Sequence, residues 1–232
     1  MTEDSAEDPG HALARRMAQL AREVAVPRRV DEVLETVTSA ARELIPGVTD
    51  AGVLLISKGA KFETHAATSE LVHRLDLLQQ MFGEGPCLEA AVDELVVRTD
   101  DFEQEPRWPR YSRAVLEAGI RSGLSFKLYT TEVTAGALNL FSDTPNVFTA
   151  QSEATGSVLA AHAAVAILAS RRGEQLESAL ASRDLIGQAK GVIMQRYKVD
   201  AIQAFEMMRR LSQNSNTRLV EIAQRVVDSR DE

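Results

Sequence analysis

Residues 179–227 read ALASRDLIGQAKGVIMQRYKVDAIQAFEMMRRLSQNSNTRLVEIAQRVV, and their periodicity decides what the end of the chain is. Apolar residues return at steps of three and four in three successive runs, the pattern of short amphipathic helices. The first helix runs from Ala179 to Tyr197 and buries Ile186, Ala189 and Ile193. Arg183, Lys190 and Tyr197 stand seven residues apart and share another face. Gly187 and Gly191 lie one turn apart near that face. A glycine inside a helix costs about 1 kcal/mol against alanine, so two of them need a reason. Close approach of another helix or of a phosphate backbone would supply one. The second helix starts after Asp200, a good N-cap, and its spacing predicts that Ile202, Phe205, Met208 and Leu211 are buried and Arg209 exposed. Ser212–Asn216 is turn chemistry, with Asn216 or Thr217 expected to cap the third helix. That helix carries a stripe at Leu219, Ile222, Ala223 and Val226, with Arg218 and Arg225 outward. Three such stripes bury one another, so the segment reads as a three-helix bundle.

Charge separates this bundle from the rest of the chain. The 232 residues carry a formal net charge of -8, which argues against a nucleic-acid binder. Yet residues 178–227 hold 8 Lys+Arg against 4 Asp+Glu, whereas residues 1–176 hold 17 against 26. The acidic bulk lies N-terminal and the last helices are locally basic. RNA recognition stacks unpaired bases on aromatic or guanidinium planes and hydrogen-bonds their edges. Phe205 belongs to the core stripe, which leaves Tyr197 as the aromatic stacking candidate. The candidate nucleic-acid-binding residues are Arg183, Lys190, Gly191, Arg196, Tyr197, Arg209 and Arg218. Singly, each charge is equally a solvated helix side chain; as a set on one small bundle they favour nucleic acid, and the family resemblance given below implies that it is RNA.

The preceding sequence changes period. Residues 1–27 form a tail and a helix pattern over Ala12–Val24. An amphipathic helix follows over Val30–Leu44, with Val30, Val33, Leu34, Val37 and Ala41 on its apolar side. Ala51–Ile56, Lys61–Ala67, Leu95–Arg98, Gly123–Tyr129 and Thr134–Phe141 read as strands. Short helices fall near Leu71–Met81, Leu88–Val92 and Trp108–Ala118. This order predicts an α+β domain over residues 28–170, an antiparallel sheet flanked by helices. From Ala150 the pattern is helical again. Val158, Ala161, Val165 and Leu168 alternate steps of three and four, a candidate coiled-coil seam between two protomers that breaks at Ser170–Gly173 and resumes at Leu176 and Leu180 with a shifted phase. A long helix that leaves the sensor and enters the bundle is the expectation; a packing helix that ends at Gly173 is the alternative. Residues 171–178 then read as a connector into the bundle of residues 179–232.

Two family resemblances cover about four-fifths of the chain. The C-terminal stretch resembles the ANTAR module, the RNA-binding output domain of bacterial antiterminators, at Arg183, Ile186, Ala189-Lys190-Gly191, Met194, Ala204-Phe205, Met208-Arg209, Ser212, Leu219 and Ile222-Ala223. The α+β region is similar to a GAF sensor domain of the group joined to ANTAR in actinobacteria. That likeness rests on Leu75–Gln79, Gly83–Ala90, Arg107-Trp108-Pro109 and Gly136–Leu140. The resemblance implies a signal-responsive regulator that binds paired stem-loops in a nascent two-hairpin RNA leader and prevents termination. Two hairpins call for two modules, hence a homodimer. It also implies a small-molecule ligand for the sensor, of unknown identity, since the Asn-Lys-Phe-Asp-Glu type signature of cyclic-nucleotide GAF domains is missing.

Within the sensor, Cys87 is the redox candidate: it follows Pro86 at the start of a short helix, a place that can lower a thiolate pKa. The competing reading is a buried small hydrophobe. As the one cysteine in the chain it forms no intramolecular disulfide, which fits a cytoplasmic protein. The acidic N-terminus lacks signal-peptide order, and the best apolar run, Val158–Leu168, is short of a membrane span. His65, His73 and His162 show no metal-ligand spacing. Trp108 reads as core packing. No nucleophile elbow, zinc helix or Gly-rich nucleotide loop is present, so neither catalysis nor a bound cofactor is expected. The main alternative is a ligand- or redox-sensing module whose helical C-terminus binds a protein partner. A DNA-binding helix-turn-helix is a third reading, disfavoured by the glycine pair.

Overall fold

The computed structural model describes residues 29–57, 61–92, 95–128 and 135–229. The expected helix over Ala12–Val24 lies outside the described residues, as do Tyr129 and Thr134. Two compact units divide between Ser170 and Arg171.

In the first unit, helix α1 (Val30–Leu44) precedes strands β1 (Asp50–Ser57) and β2 (Lys61–His65). Helices α2 (Glu70–Phe82) and α3 (Pro86–Val92) then lead to β3 (Val96–Thr99). A 3-10 turn at Phe102–Gln104 and helix α4 (Pro109–Glu117) come before β4 (Ser122–Leu128) and β5 (Ala135–Ser142). The five strands pair antiparallel throughout, in the order β2-β1-β5-β4-β3. This is the predicted α+β architecture, with helices on both faces.

Alternation along the strands assigns the faces. Val53, Leu55, Leu124, Phe126, Leu128, Leu138 and Leu140 pack with α1 and the start of the last long helix, α5 (Ala150–Tyr197). Leu54, Ala137 and Phe141 point the other way, into a core made with α2, α3 and α4. On α5 the residues buried against the sheet are Leu159, Ala160, Ala163, Ala164 and Ile167. The three alanines among them let the helix axis lie close, and Gly156 carries this furthest: a Cβ there would overlap three carbons of the Phe126 ring. By length and composition one stretch of α5 would pass for a membrane span, but half of it is buried inside the fold.

The seam residues Val158, Ala161 and Val165 are exposed and Leu168 is half-buried, so the face drawn from sequence turns away from the sheet. The helix does not end at Ser170–Gly173. α5 is one helix of 48 residues and the connector residues 171–178 are helical. One glycine is a modest penalty, and Gln175, Leu176, Ala179, Leu180 and Ala181 around it are good helix formers.

The second unit completes itself with α6 (Ala201–Ser215) and α7 (Leu219–Asp228). Asp200 accepts from the backbone N–H of Ile202 at 2.9 Å and of Gln203 at 2.8 Å, while Gln203 Oε1 accepts from the Asp200 N–H at 3.3 Å. This reciprocal capping box fixes where α6 begins. Its core is Ala189, Ile193, Ala204, Met208, Ile222 and Ala223. Two expectations fail here. Ile202 is 76% exposed and Leu211 is exposed too, because α6 turns Ala204 and Met208 inward and those large residues fall on either side. Neither Asn216 nor Thr217 caps the third helix. Asn216 closes α6 in the left-handed conformation (φ 48°) and Arg218 stands at the start of α7 without a side-chain cap.

Candidate nucleic-acid interface and sensor interior

On α5, Arg183, Lys190 and Tyr197 fall in step, and the phenol ring at the helix end is 57% exposed. Arg183 is exposed and Lys190 half-buried. The remaining candidates are not brought onto this line. Arg196 reaches back and donates from Nη2 to the Ser229 carbonyl at 2.9 Å, tying the end of α5 to the end of α7. Arg209 forks onto Glu206 at 2.8 Å, and those hydrogen bonds hold the Glu206 carboxyl below the usual carboxylate range. Both partners are exposed, so the pair adds little stability, but it occupies a guanidinium that an RNA would have to recapture. Arg218 is exposed where α7 starts. Gly191, like Gly187, has open space: a Cβ at either would meet nothing within 4 Å. Packing among the described residues therefore does not explain the pair.

The sensor interior holds a polar cluster that sequence reasoning missed. Asp76 on α2 accepts from Thr64 Oγ1 on β2 at 2.7 Å, and the amides of Gln79 and Asn139 each approach its other oxygen at 3.5 Å. Gln79 Oε1 accepts from the Cys87 N–H at 2.9 Å. Asn139 Oδ1 accepts from Cys87 Sγ at 2.7 Å and from Ser125 Oγ at 2.9 Å. All of these side chains except Thr64 are buried. Burial is the main cause pushing the Asp76 carboxyl up to about 7, against a smaller downward pull from the Thr64 hydrogen bond. Tyr111 on α4 is fully buried and its hydroxyl has no partner; burial first, then the charges of Cys87 and Asp76, push its pKa well up.

This geometry corrects the redox expectation for Cys87. Its place at the start of α3 is as drawn, but it is buried, and burial, with the nearby Asp76 charge, drives the thiol pKa upward. A redox-sensing thiol is exposed and thiolate-rich; this one is a protonated donor to Asn139. Trp108 packs in the same core, with the Arg107 guanidinium 4.3 Å above its ring. His65 faces Asp31 at 3.4 Å and His162 sits against the Val158 carbonyl. Among the described residues no group of three His, Cys, Asp or Glu is placed to hold a metal.

The unpartnered Tyr111 hydroxyl makes a direct prediction. Removing one partner of a buried hydrogen bond strands the other at a cost, but removing an already orphaned polar group strands nothing. Tyr111→Phe is expected to be neutral or to stabilise by about 1 kcal/mol, read from a denaturant midpoint at unchanged slope. Loss of more than that would mean the hydroxyl has a bonded water or ligand in solution.

Comparison with known families settles what the two units are. Residues 27–168 match the family model of the GAF domain, and residues 174–227 match that of the ANTAR domain. The chain belongs to the GAF family and carries an ANTAR domain. A GAF domain is a sensing module and an ANTAR domain an RNA-binding output of antitermination regulators, so the chain couples a sensor to a transcription-regulatory output. Neither is an enzymatic domain. No curated protein sequence matches the chain. Among solved structures, the free methionine-R-sulfoxide reductase of Neisseria meningitidis, in complex with its substrate, is similar at 18% identity and TM-score 0.53. That match covers 75% of this chain and 98% of that one. An N-acylhomoserine-lactone-dependent LuxR-family transcription factor of Burkholderia cenocepacia gives 17% identity and TM-score 0.56, over 70% and 99%. The photosensory core module of the Stigmatella aurantiaca phytochrome gives 10% identity and TM-score 0.60, over 91% and 46%. At these identities the likeness is one of fold.

Proposed function

We propose that this GAF–ANTAR protein is a cytoplasmic, signal-responsive antiterminator that binds paired stem-loops of a nascent RNA leader as a homodimer and so keeps the terminator from forming. The observation that carries the RNA reading is the Arg183–Lys190–Tyr197 line: two cations and one exposed ring at seven-residue steps on a single helix face. A ring there stacks an unpaired base while the cations meet phosphates or base edges. Arg218 adds a further exposed cation on α7, whereas Arg196 and Arg209 first serve the bundle. The exposed face at Val158, Ala161 and Val165 supports a dimer that brings two modules to two hairpins. The GAF domain would take a small-molecule signal.

Binding of the full protein to a two-hairpin RNA, a loop-scrambled RNA and duplex DNA tests this. Tyr197→Ala is expected to cost about 1–3 kcal/mol of binding to the two-hairpin RNA, the worth of one stacked base. Lys190→Ala should weaken binding to any loop sequence and reduce the salt dependence. Equal, weak, salt-erased binding to all three nucleic acids would discard the RNA reading. The exposed Ile202 and Leu211 would then direct attention to a protein partner.

A further inference from the structure

The turn that ends α5 is held on both sides. Tyr197 is the last residue of the helix, Val199 packs against the bundle core, and Asp200 caps α6. Lys198, between them, takes a left-handed backbone at φ 54°. The end of α6 turns in the same way, with Asn216 at φ 48°. Asparagine suits that conformation because its short polar side chain bonds locally, and glycine adopts it without a clash. Lysine has neither property. What it adds over glycine is a cation on a long stem. That side chain is exposed and makes no ion pair among the described residues, whereas Arg209 is held by Glu206 and Arg196 by the Ser229 carbonyl. The nearest carboxylate in sequence, Asp200, is taken by the N–H groups of Ile202 and Gln203. Consecutive Cα atoms stand about 3.8 Å apart, so Lys198 leaves the chain beside the exposed Tyr197 ring.

We propose that Tyr197 and Lys198 together seat one unpaired loop nucleotide of RNA, the ring stacking on its base and the ammonium holding its phosphate. The inference rests on the RNA-binding reading above and adds to it a residue whose backbone conformation is explained by that role. Free carbonyls at the end of a helix repel a phosphate, and a cation placed there is what lets one approach. Stacking accepts any base, since every base has a π face, while the phosphate contact fixes position. The seat therefore selects an extruded nucleotide and sets the register of the loop. Lys190 lies one seven-residue step back along α5, about 10 Å, and meets a different part of the RNA.

Affinity of the full chain for a two-hairpin RNA, measured over a range of salt, tests the seat. Lys198→Gly is expected to weaken binding by about threefold to tenfold and to lower the slope of log affinity against log salt by about 0.7, the contribution of one phosphate on a single strand. Lys198→Arg should keep both. By circular dichroism Lys198→Gly should melt no lower than wild type, because glycine relieves the turn. Neutral methylphosphonates placed one at a time in the loop then locate the partner. At one position the replacement should weaken wild type and leave Lys198→Gly unaffected. Removing the base of that same nucleotide should weaken wild type and leave Tyr197→Ala unaffected. A wild-type salt slope in Lys198→Gly, with loop-dependent binding still lost in Tyr197→Ala, would overturn the seat and leave the RNA reading standing. If that variant also melts lower, the lysine serves the helix end instead. Phosphate and base effects at nucleotides far apart in the loop would overturn the seat too. Wild-type binding that does not distinguish two-hairpin RNA from duplex DNA would sink both.

Discussion

Asp76→Asn should raise the stability of the GAF domain at pH 8 and flatten its dependence on pH. The wild-type carboxyl is held at about 7 in the fold, well above its ordinary value of 3.8. A raised carboxyl pKa means that the folded state binds the proton more tightly than the unfolded one. The stability contributed by that proton is fully present below about pH 4, is lost as pH rises through about 7, and stays lost above it. Three pKa units correspond to about 4 kcal/mol, an upper figure for a single buried group. Asparagine keeps the shape and removes the charge. Its carbonyl can accept from the Gln79 and Asn139 amides, as one Asp76 oxygen does now. Its NH2 would then face Thr64 Oγ1, whose hydroxyl can turn from donor to acceptor. Denaturant melts of both proteins between pH 4 and pH 8 decide it. Curves that stay parallel would show that Asp76 does not carry the pH dependence.

Gly156→Ala should destabilise the sensor by about 3 kcal/mol, at the upper end of what overpacking a core costs. The added methyl would overlap the Phe126 ring at three carbons, and that ring is itself fully buried between Leu124 and Leu128 on β4. Relief requires either the helix to lift from the sheet or the ring to leave its rotamer. The same substitution at Gly191, on the same helix, carries the opposite sign, because a Cβ there meets nothing within 4 Å and alanine is the better helix former. The contrast separates a glycine that this fold needs from one that it merely tolerates. A melting temperature unchanged by Gly156→Ala would mean that α5 rides higher over the sheet in solution.

The elements of the GAF domain were legible because its strands alternate and its helices repeat at three and four. Val33, Leu34, Val37 and Ala41 all lie where the pattern put them. The polar cluster was not legible, for a physical reason. Ser125 sits between Leu124 and Phe126, and Asn139 between Leu138 and Leu140, so alternation reads them as the outer face of a half-buried sheet. Only the packing of α2, α3 and α4 over that face makes them interior. In the ANTAR bundle the phase of α6 was lost because size misled. Ile202 and Leu211 read as core, whereas Ala204 and Met208 fill it. The pairing of Arg209 with Glu206 is visible in the sequence as a three-residue step. The continuity of α5 through Gly173 was legible, because a glycine beside two arginines shifts the apolar phase but includes no residue forbidden to a helix.

The chain has one tryptophan, and it is the buried Trp108 of the sensor core. Its indole emission therefore follows the GAF domain and is blind to the ANTAR bundle, whose backbone is helical throughout its core. Far-ultraviolet circular dichroism weights the helices of both units, while tryptophan fluorescence reports the opening of one. Superimposable melts by the two probes would mean that the units unfold as a single cooperative block. Separated melts would give each unit its own stability from one unlabelled sample, and would let a ligand's effect on the sensor be measured without disturbing the RNA-binding end.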